Sequence, residues 1–168
     1  MIRLALPGEA DTVRALVRGA YAHYVTRLGR EPGPMRDDYA QRIADGQVWV
    51  LEEEGQLLGA VVLTERPESF LLQNVAVAPA AQGNGFGRRL ITFADDEAKR
   101  RGFEELQLYT HLLMVENIAL YQHLGFREIG RIHEHGFDRV YMAKPVEWPS
   151  GSARLPASSV GVFLLSHL

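Results

Sequence analysis

Cysteine is absent from the 168-residue chain. Its absence excludes disulfide bonds, thiolate nucleophiles and cysteine-ligated zinc or iron–sulfur centres. An excess of one charge is lacking as well, because 18 lysines and arginines face 21 aspartates and glutamates, which leaves a net charge of −3. Such a chain has no overall basic field that would gather nucleic acid or anionic lipid. We therefore expect no nucleic-acid partner, and we expect any anionic ligand to be held locally.

Long apolar runs are missing too. No stretch approaches the roughly 18 apolar residues that span a bilayer, and the first residues do not lead into an apolar signal core. These absences predict a cytoplasmic protein with no membrane partner. What is present, 46% hydrophobic and 23% charged residues, is the composition of an ordinary globular protein. The length suits one domain with a sizeable core.

The composition changes beyond residue 144, where proline, serine and glycine become frequent and an apolar patch covers residues 160–165. We predict one domain over residues 1–144, followed over residues 145–168 by a linker and a short apolar appendage. The appendage could add a strand to a neighbouring sheet, cover an apolar patch of its own domain, or form a disordered tail. The sequence does not choose between these.

Hydrophobic periodicity predicts a mixed order of helices and strands. Residues 70–78 are apolar on both faces except at Gln73 and Asn74, which favours a strand in the middle of a sheet. The predicted helices cover residues 13–24, 37–44, 87–102 and 116–124. The other predicted strands cover residues 47–53, 56–64, 105–110, 127–133 and 137–143. Residues 28–35 are predicted to be an ordered loop, because two prolines and two glycines interrupt the helical pattern.

A glycine-rich turn over residues 82–87 joins the predicted central strand to the next helix. Backbone N–H groups at a helix amino terminus suit a phosphate or pyrophosphate, and glycine permits close approach. Two nucleotide motifs fail by position. The phosphate loop needs Gly-Lys-Ser/Thr where Gly87-Arg88-Arg89 stands, and the dinucleotide fingerprint needs glycine at Arg88. A turn with glycines for packing alone is the alternative interpretation.

Two motifs carry a family resemblance. Gln82-x-x-Gly85-x-Gly87, with Val75-Ala76-Val77-Ala78-Pro79 before it, resembles the acetyl-CoA-binding motif of the GCN5-related N-acetyltransferases (GNAT). Asn117-x-Ala119-Leu120-Tyr121-x-x-x-Gly125-Phe126 resembles the later helix and the following strand of that family. The resemblance covers about residues 2–144. It implies an α+β (mixed α/β) fold with a central, mostly antiparallel twisted sheet of six to seven strands, flanked by about four helices.

The resemblance also implies a cofactor site and no metal. The pantetheine arm of acetyl-CoA would pair with the backbone of the central strand, the pyrophosphate would lie on amides of the glycine turn near Arg88 or Arg89, and Asn117 would bind the pantetheine. The cofactor-binding residues so implied are Asn74, Val75, Ala76, Val77, Gln82, Gly83, Asn84, Gly85, Phe86, Gly87, Arg88, Asn117 and Tyr121. His133 and His135 alternate on a predicted strand, but no third ligand accompanies them, so a metal site is not favoured.

Acyl transfer from a thioester needs an oxyanion hole and a proton donor for the leaving thiolate. The backbone N–H of Val75 is a candidate for the first. Tyr121 is a candidate for the second, since it lies one helical turn after Asn117 and a phenol can donate a proton. A core tyrosine is the alternative interpretation.

No general base is obvious in the sequence. Leu71, Gln73 and Asn74 occupy the central-strand positions where some GNAT relatives place a histidine or an acid, and none of the three is a competent base. His111 and Glu116 are the nearest alternatives, with His23 and Tyr24 less favoured. Each of these could equally be a solvated polar residue.

The acceptor should be bound by the variable parts of the chain. The candidates are Tyr21, Tyr24, Arg27, Met35 and Asn74. A cleft lined by aromatics and arginines could accept a small amine carrying a carboxylate, such as an amino acid. We therefore predict an N-acetyltransferase that moves acetyl from acetyl-CoA to a primary amine of a small molecule by direct attack in a ternary complex. A non-catalytic acyl-CoA-binding or sensing module and the acetylation of a protein amine are the alternatives, and a homodimer is expected.

Overall fold

The computed structural model describes residues 1–147 of the chain. Seven strands form one sheet in the order β1-β2-β3-β4-β5-β7-β6, flanked by four α-helices. The strands are β1 Ile2–Leu4, β2 Val48–Glu53, β3 Gln56–Glu65, β4 Phe70–Val77, β5 Glu105–His111, β6 Arg127–Glu134 and β7 Phe137–Pro145. The helices are α1 Ala10–Leu28, α2 Tyr39–Ala44, α3 Phe86–Arg100 and α4 Val115–His123. Over these residues no helix combines the length and the apolar character needed to cross a membrane.

The central position predicted for residues 70–78 is confirmed, because β4 is the fourth of the seven strands. Every neighbouring pair in the sheet is antiparallel except β4 and β5. The mostly antiparallel α+β fold expected from the resemblance is thus the observed one. β1 is only three residues long, so it shows no hydrophobic alternation from which a strand could be predicted. It is defined by its pairing with β2, as at Ile2 opposite Leu51.

Two local details differ from the sequence prediction. The loop predicted over residues 28–35 contains a 3₁₀ turn, Gly33–Arg36, in which Pro34 occupies one of the first two positions, where a missing N–H costs nothing. His135 lies in the turn of the β6–β7 hairpin with φ of 52°, so it does not alternate with His133 on a strand. His133 instead pairs with Asp138 at 2.7 Å.

The sheet continues past residue 144, where the sequence predicts the end of the domain. Pro145 is the last residue of β7 and lies opposite Glu105. The Val146 side chain is buried, and its N–H donates to the carbonyl oxygen of Glu104 at 2.8 Å. A proline at the end of a strand forfeits only its own N–H, so the sheet continues past Lys144. The predicted linker and appendage, from residue 148 onward, lie outside the described residues.

The sheet separates two hydrophobic layers. Helices α1 and α2 cover one face, and α3 and α4 cover the other, as the membership of the two core clusters shows. Leu72 and Val75 both pack with the α3 layer although three positions separate them. A β-bulge explains this, because Asn74 pairs with Val62 and Leu72 with Leu63, which leaves Gln73 without an opposite residue.

A cleft opens at the centre of the sheet. The parallel ladder between β4 and β5 comprises only three pairs, from Phe70 opposite Leu106 to Leu72 opposite Leu108. Beyond the bulge, the rest of β4 has no ladder on its β5 side. The carboxyl-terminal half of the central strand therefore borders a gap between two strands that are neighbours in the sheet order.

Candidate active site

The glycine turn lies between β4 and α3. Gly83 and Gly85 have φ of 83° and 77°, in the left-handed region that favours glycine. Gly85 is the N-cap of α3, and no side chain caps the helix. Among the described residues, the amides of Phe86, Gly87 and Arg88 have no backbone acceptor outside the helix. The turn thus presents a set of unpaired N–H groups at the positive end of a helix dipole.

Gly87 is not required by the fold itself. A Cβ added there would meet nothing closer than the Val77 side chain at 3.8 Å, which is an ordinary contact. The residue is inside α3, where alanine is more favourable than glycine. A ligand that approaches the backbone closely is the physical reason for a glycine at such a position.

The two arginines that follow the turn differ in their partners. Arg89 donates to Glu53 at 3.0 Å and lies over the Phe86 ring. Arg88 is exposed and has no ion pair within residues 1–147. Of the two arginines predicted to lie near the anionic ligand, only Arg88 has a guanidinium without an acidic partner among residues 1–147.

The backbone of β4 alternates between β3 and the cleft. The Ala78 N–H donates to the Leu58 carbonyl oxygen at 2.8 Å, which fixes this pair as hydrogen-bonded. Hydrogen-bonded and non-hydrogen-bonded pairs alternate along an antiparallel ladder, so the backbone groups of Val75 and Val77 face away from β3. The carbonyl oxygens accept from side chains, that of Val75 from the Tyr21 hydroxyl at 3.1 Å and that of Val77 from Gln82 at 3.2 Å. The Val75 N–H points into the cleft.

Tyr121 lies in the wall of this cleft on α4, with 6% of its surface exposed. Its hydroxyl makes no side-chain hydrogen bond within residues 1–147. Burial, and then the neighbouring Tyr24, raise the pKa of Tyr121 above its ordinary value. The phenol is therefore protonated throughout the neutral range. Asn117, one turn earlier, lines the same cleft and accepts from the Tyr24 hydroxyl at 3.3 Å.

His111 also lines the cleft, but its ring is oriented as a donor. The Leu113 N–H donates to Nδ1 at 3.0 Å. Burial lowers the pKa of His111, so the ring is neutral at pH 7. A neutral imidazole that accepts at Nδ1 carries its proton on Nε2. That nitrogen can donate a hydrogen bond but cannot take a proton from an amine.

Glu116 is placed at the cleft rim in an ion pair. Its carboxylate contacts Arg27 at 2.6 Å, and this hydrogen bond lowers the pKa of Glu116 below its ordinary value. The side chain is exposed and is not among the residues that line the cleft. A carboxylate so stabilised is a weak proton acceptor.

The enclosed volume of the cleft is only about 60 Å³, and the rest of it is open to solvent. Its acceptor half lies between the loop after α1 and the β6–β7 hairpin and is lined by Leu28, Pro32, Gly33, Pro34, Tyr109, Phe137 and Arg139. The Arg139 guanidinium lies 4.4 Å from the centre of the Tyr109 ring and donates to Glu134 at 2.8 Å. A second cavity adjoins it around Gln73 and Asn74 and adds Arg36, Asp37 and Arg42.

The predicted acceptor residues divide into two groups. Tyr21 and Asn74 line the cleft. Met35 is buried in the core on the α1 side, and Arg27 is held by Glu116, so neither lines the cleft. Tyr24 reaches the cleft only through its bond to Asn117.

Sequence reasoning missed two site residues, Tyr39 and Arg30. Tyr39 donates to the Pro34 carbonyl oxygen at 2.5 Å and accepts from Asn74 at 2.9 Å. Arg30 donates to the His135 carbonyl oxygen at 3.0 Å and lies 4.0 Å from the centre of the Phe137 ring. Arg30 thereby joins the two walls of the acceptor half. Tyr39 fits a core position of an amphipathic helix, and no sequence signal links either residue to partners so far along the chain.

No group of three or more histidine, aspartate or glutamate side chains that could hold a metal ion occurs in residues 1–147. The reacting groups assembled at the cleft are backbone amides, hydroxyls and amide side chains. Such an arrangement can bind an extended amide-containing chain along β4, stabilise an oxyanion and donate a proton.

Known proteins share this fold and this turn. A family model described as an acetyltransferase (GNAT) domain matches residues 44–128. YjgM of Escherichia coli (strain K12), named as an uncharacterized N-acetyltransferase, is 35% identical over 85 residues, which are 48% of this chain and 51% of YjgM. The chain therefore belongs to the GNAT acetyltransferase family. It spans about half the length of the curated relatives it matches.

Solved structures extend the likeness to most of the described residues. The IAA acetyltransferase from Bacillus cereus ATCC 14579 is 26% identical with a TM-score of 0.66, and the alignment covers 86% of this chain and 98% of that one. PaiA N-acetyltransferase from Thermoplasma acidophilum, in complex with coenzyme A, has a TM-score of 0.72 at 19% identity, with 86% and 98% covered. The second likeness shows the shared fold alone.

Proposed function

We propose that the chain is an acetyl-CoA-dependent N-acetyltransferase whose acceptor is a primary amine of a small molecule. The observation that carries the proposal is the edge of β4 beyond Leu72, which has no strand partner on its β5 side and whose Val75 N–H faces the cleft, followed along the chain by the uncapped amino terminus of α3. A strand edge can take up the amide-containing pantetheine arm, and an uncapped helix end can take up its pyrophosphate. The two features are joined by a single short turn.

In this proposal the cofactor is held mainly by backbone. The pyrophosphate lies on the amides of Phe86, Gly87 and Arg88, and the Arg88 side chain adds a charge. The Gln82 amide bound to the Val77 carbonyl oxygen gives way to the pantetheine. Asn117 and Tyr121 close the cleft beside the thioester.

The transfer step then uses three groups of this chain. The neutral amine attacks the thioester carbon, and the Val75 N–H stabilises the oxyanion. The C–N bond forms, the C–S bond breaks, and Tyr121 donates its proton to the leaving thiolate. The proton released from the amine nitrogen goes to solvent, because neither His111 nor Glu116 is disposed to accept it.

A small acceptor is favoured by the bridge between the cleft walls. The Arg30–His135 contact joins the loop after α1 to the hairpin tip and leaves little room for an extended peptide. The Arg139 guanidinium in the wall would suit an amine that also carries a carboxylate, as an amino acid does, if that carboxylate replaced Glu134, which now pairs with Arg139 at 2.8 Å. The similar structure from Bacillus cereus is named an IAA acetyltransferase.

Calorimetric titration with acetyl-CoA tests the cofactor half. We expect micromolar binding by the unmodified chain and none by Gly87→Glu, because a carboxylate at this position repels phosphate and fills its place. Gly8→Glu is the matched control, since Gly8 has open space around it and lies far from the turn. Equal binding by all three chains would refute the proposed site, and tighter binding of ATP or NAD would assign the turn to another nucleotide.

Release of coenzyme A tests the transfer itself. The chain has no cysteine, so a thiol reagent reports the product alone. The acceptor panel is L-phenylalanine, β-phenylethylamine, spermidine and a nonapeptide with a free amino terminus. Release with the first two supports the proposal, release with the peptide alone indicates a protein acceptor, and tight acetyl-CoA binding without release in the panel indicates a non-catalytic module.

The cytoplasmic location and the homodimer stay predictions. Sedimentation of the purified chain at micromolar concentration measures the oligomeric state directly. A mass of twice 18.8 kDa is the expected result.

A further inference from the structure

Asn74 is a buried amide whose orientation is fixed by its neighbours. Its side chain is on the central strand next to the bulge, and 5% of its surface is exposed. The Tyr39 hydroxyl donates its single proton to the Pro34 carbonyl oxygen at 2.5 Å, so it can only accept from Asn74. The Nδ2 group of Asn74 must therefore face Tyr39, at 2.9 Å. The amide cannot flip without breaking this series of two hydrogen bonds.

The other end of the same amide has no partner. Oδ1 of Asn74 is buried and accepts no hydrogen bond from residues 1–147. A buried acceptor without a donor costs free energy, and most such atoms in folded proteins are paired. Here the hydrogen bonds through Tyr39 and Pro34 hold the unpaired atom in place. Asn74 also lines both the cleft and the adjoining cavity.

Its place in the chain puts this acceptor beside the reacting atoms. Asn74 directly precedes Val75, whose N–H faces the cleft as the proposed oxyanion donor. Successive side chains of a strand point to opposite faces, and Asn74 lies on the face covered by α1 and α2, opposite to the Val75 side chain. An amine that enters from the α1 and α2 side reaches Asn74 at the same point along β4 as the thioester.

We infer that Oδ1 of Asn74 receives an N–H of the acceptor amine and so directs the nitrogen lone pair toward the thioester carbon. The inference rests on the proposed acetyl transfer and names the positioning residue for its acceptor. An amide oxygen accepts a hydrogen bond but takes no proton at neutral pH. The site therefore selects acceptors that attack without a base, which amines do and alcohols do not.

The test compares Asn74→Leu with the unmodified chain on β-phenylethylamine and L-phenylalanine. Leucine has a similar volume and no acceptor, so we expect kcat/KM for the amine to fall about tenfold to hundredfold. Because the family resemblance also implies a place for Asn74 in the cofactor site, the Kd for acetyl-CoA is measured beside kcat/KM, and the fall in kcat/KM for the amine is expected to exceed any change in that Kd. A purely structural role would change the two quantities alike.

Tyr39→Phe is the second variant. It keeps Oδ1 but removes the hydroxyl that orients the amide, so kcat/KM for the amine should fall by less than in Asn74→Leu. An unchanged kcat/KM in Asn74→Leu, or transfer to 2-phenylethanol at a rate like that to β-phenylethylamine, overturns the inference and leaves the proposed function intact. If the chain acetylates no amine of the panel, both the inference and the proposed function are refuted.

Discussion

The two halves of the cleft are built in different ways. The cofactor half consists of backbone amides from one continuous stretch, β4 to the first turn of α3, and its side chains matter little. The acceptor half consists of side chains from α1, α2, β5, α4 and the β6–β7 hairpin, and most of them already bind one another. Tyr39 with the Pro34 carbonyl oxygen, Arg139 with Glu134 and Arg30 with the His135 carbonyl oxygen are such pairs.

This difference separates cofactor binding, which is the same for every acceptor, from acceptor binding, which determines the specificity. A backbone site needs only glycines and a strand edge, so the surrounding sequence can vary while the cofactor stays the same. A side-chain site changes with each substitution. We therefore expect variants of the first half to affect every acceptor equally and variants of the second half to distinguish acceptors.

The largest effect is expected where the two halves meet. Tyr121→Phe removes the proposed proton donor and should lower kcat by about hundredfold or more at neutral pH, which is the range of general acid catalysis. The Kd for acetyl-CoA should stay nearly constant in calorimetry. Tyr141→Phe is the matched control, since that hydroxyl binds Glu134 and does not line the cleft. A kcat unchanged in Tyr121→Phe would exclude the role.

The paired arginines after the glycine turn give a smaller effect on the cofactor alone. Arg88→Ala should raise the Kd for acetyl-CoA by about threefold to tenfold, and less at high salt, because an exposed charge on a phosphate is screened. Arg89→Ala should change the Kd by less than about twofold, since Arg89 is held by Glu53. Titrations at two salt concentrations measure both. The reverse ranking would contradict the assignment.

Opening the acceptor half should change selectivity rather than rate. Arg30→Ala removes the contact between the loop and the hairpin tip, and we expect the ratio of peptide to β-phenylethylamine turnover to rise about threefold, on the scale of one surface contact. Arg18→Ala is the control, because Arg18 pairs with Glu31 on the same helix side without reaching the hairpin. A ratio that stays constant would show that the bridge does not limit the acceptor.

The smallest effect concerns pH and His111. With no protein base, kcat/KM should rise with pH until the amine itself is deprotonated. The raised pKa of Tyr121 means that the acid keeps its proton beyond about pH 10, the ordinary value of a tyrosine, so no decline is expected below it. His111→Gln should leave the profile within about twofold. Loss in this variant of an acidic limb that lies below the ordinary histidine pKa would instead identify His111 as the base.

The elements on which the proposed cofactor half rests could be predicted from the sequence, whereas the contacts of the acceptor half could not, for a physical reason. The strand, the glycine turn and the helix are adjacent in the chain, and each has a local signal in periodicity or φ preference. Asn117 and Tyr121 are one helical turn apart, so the sequence also predicts that their side chains share a helix face. Arg30 and His135 are 105 residues apart, and Tyr39 and Asn74 are 35 apart. Such contacts exist only after the sheet has assembled.

The short ladder between β4 and β5 has a thermodynamic consequence. With three pairs joining the two halves of the sheet, the pantetheine arm of the proposed complex supplies cross-links that the chain itself does not. A ligand that binds only the folded state stabilises it by mass action, by about 2.7 kcal/mol at a concentration of one hundred times its Kd. The acetyl-CoA pool would then govern the lifetime of the folded protein as well as its turnover.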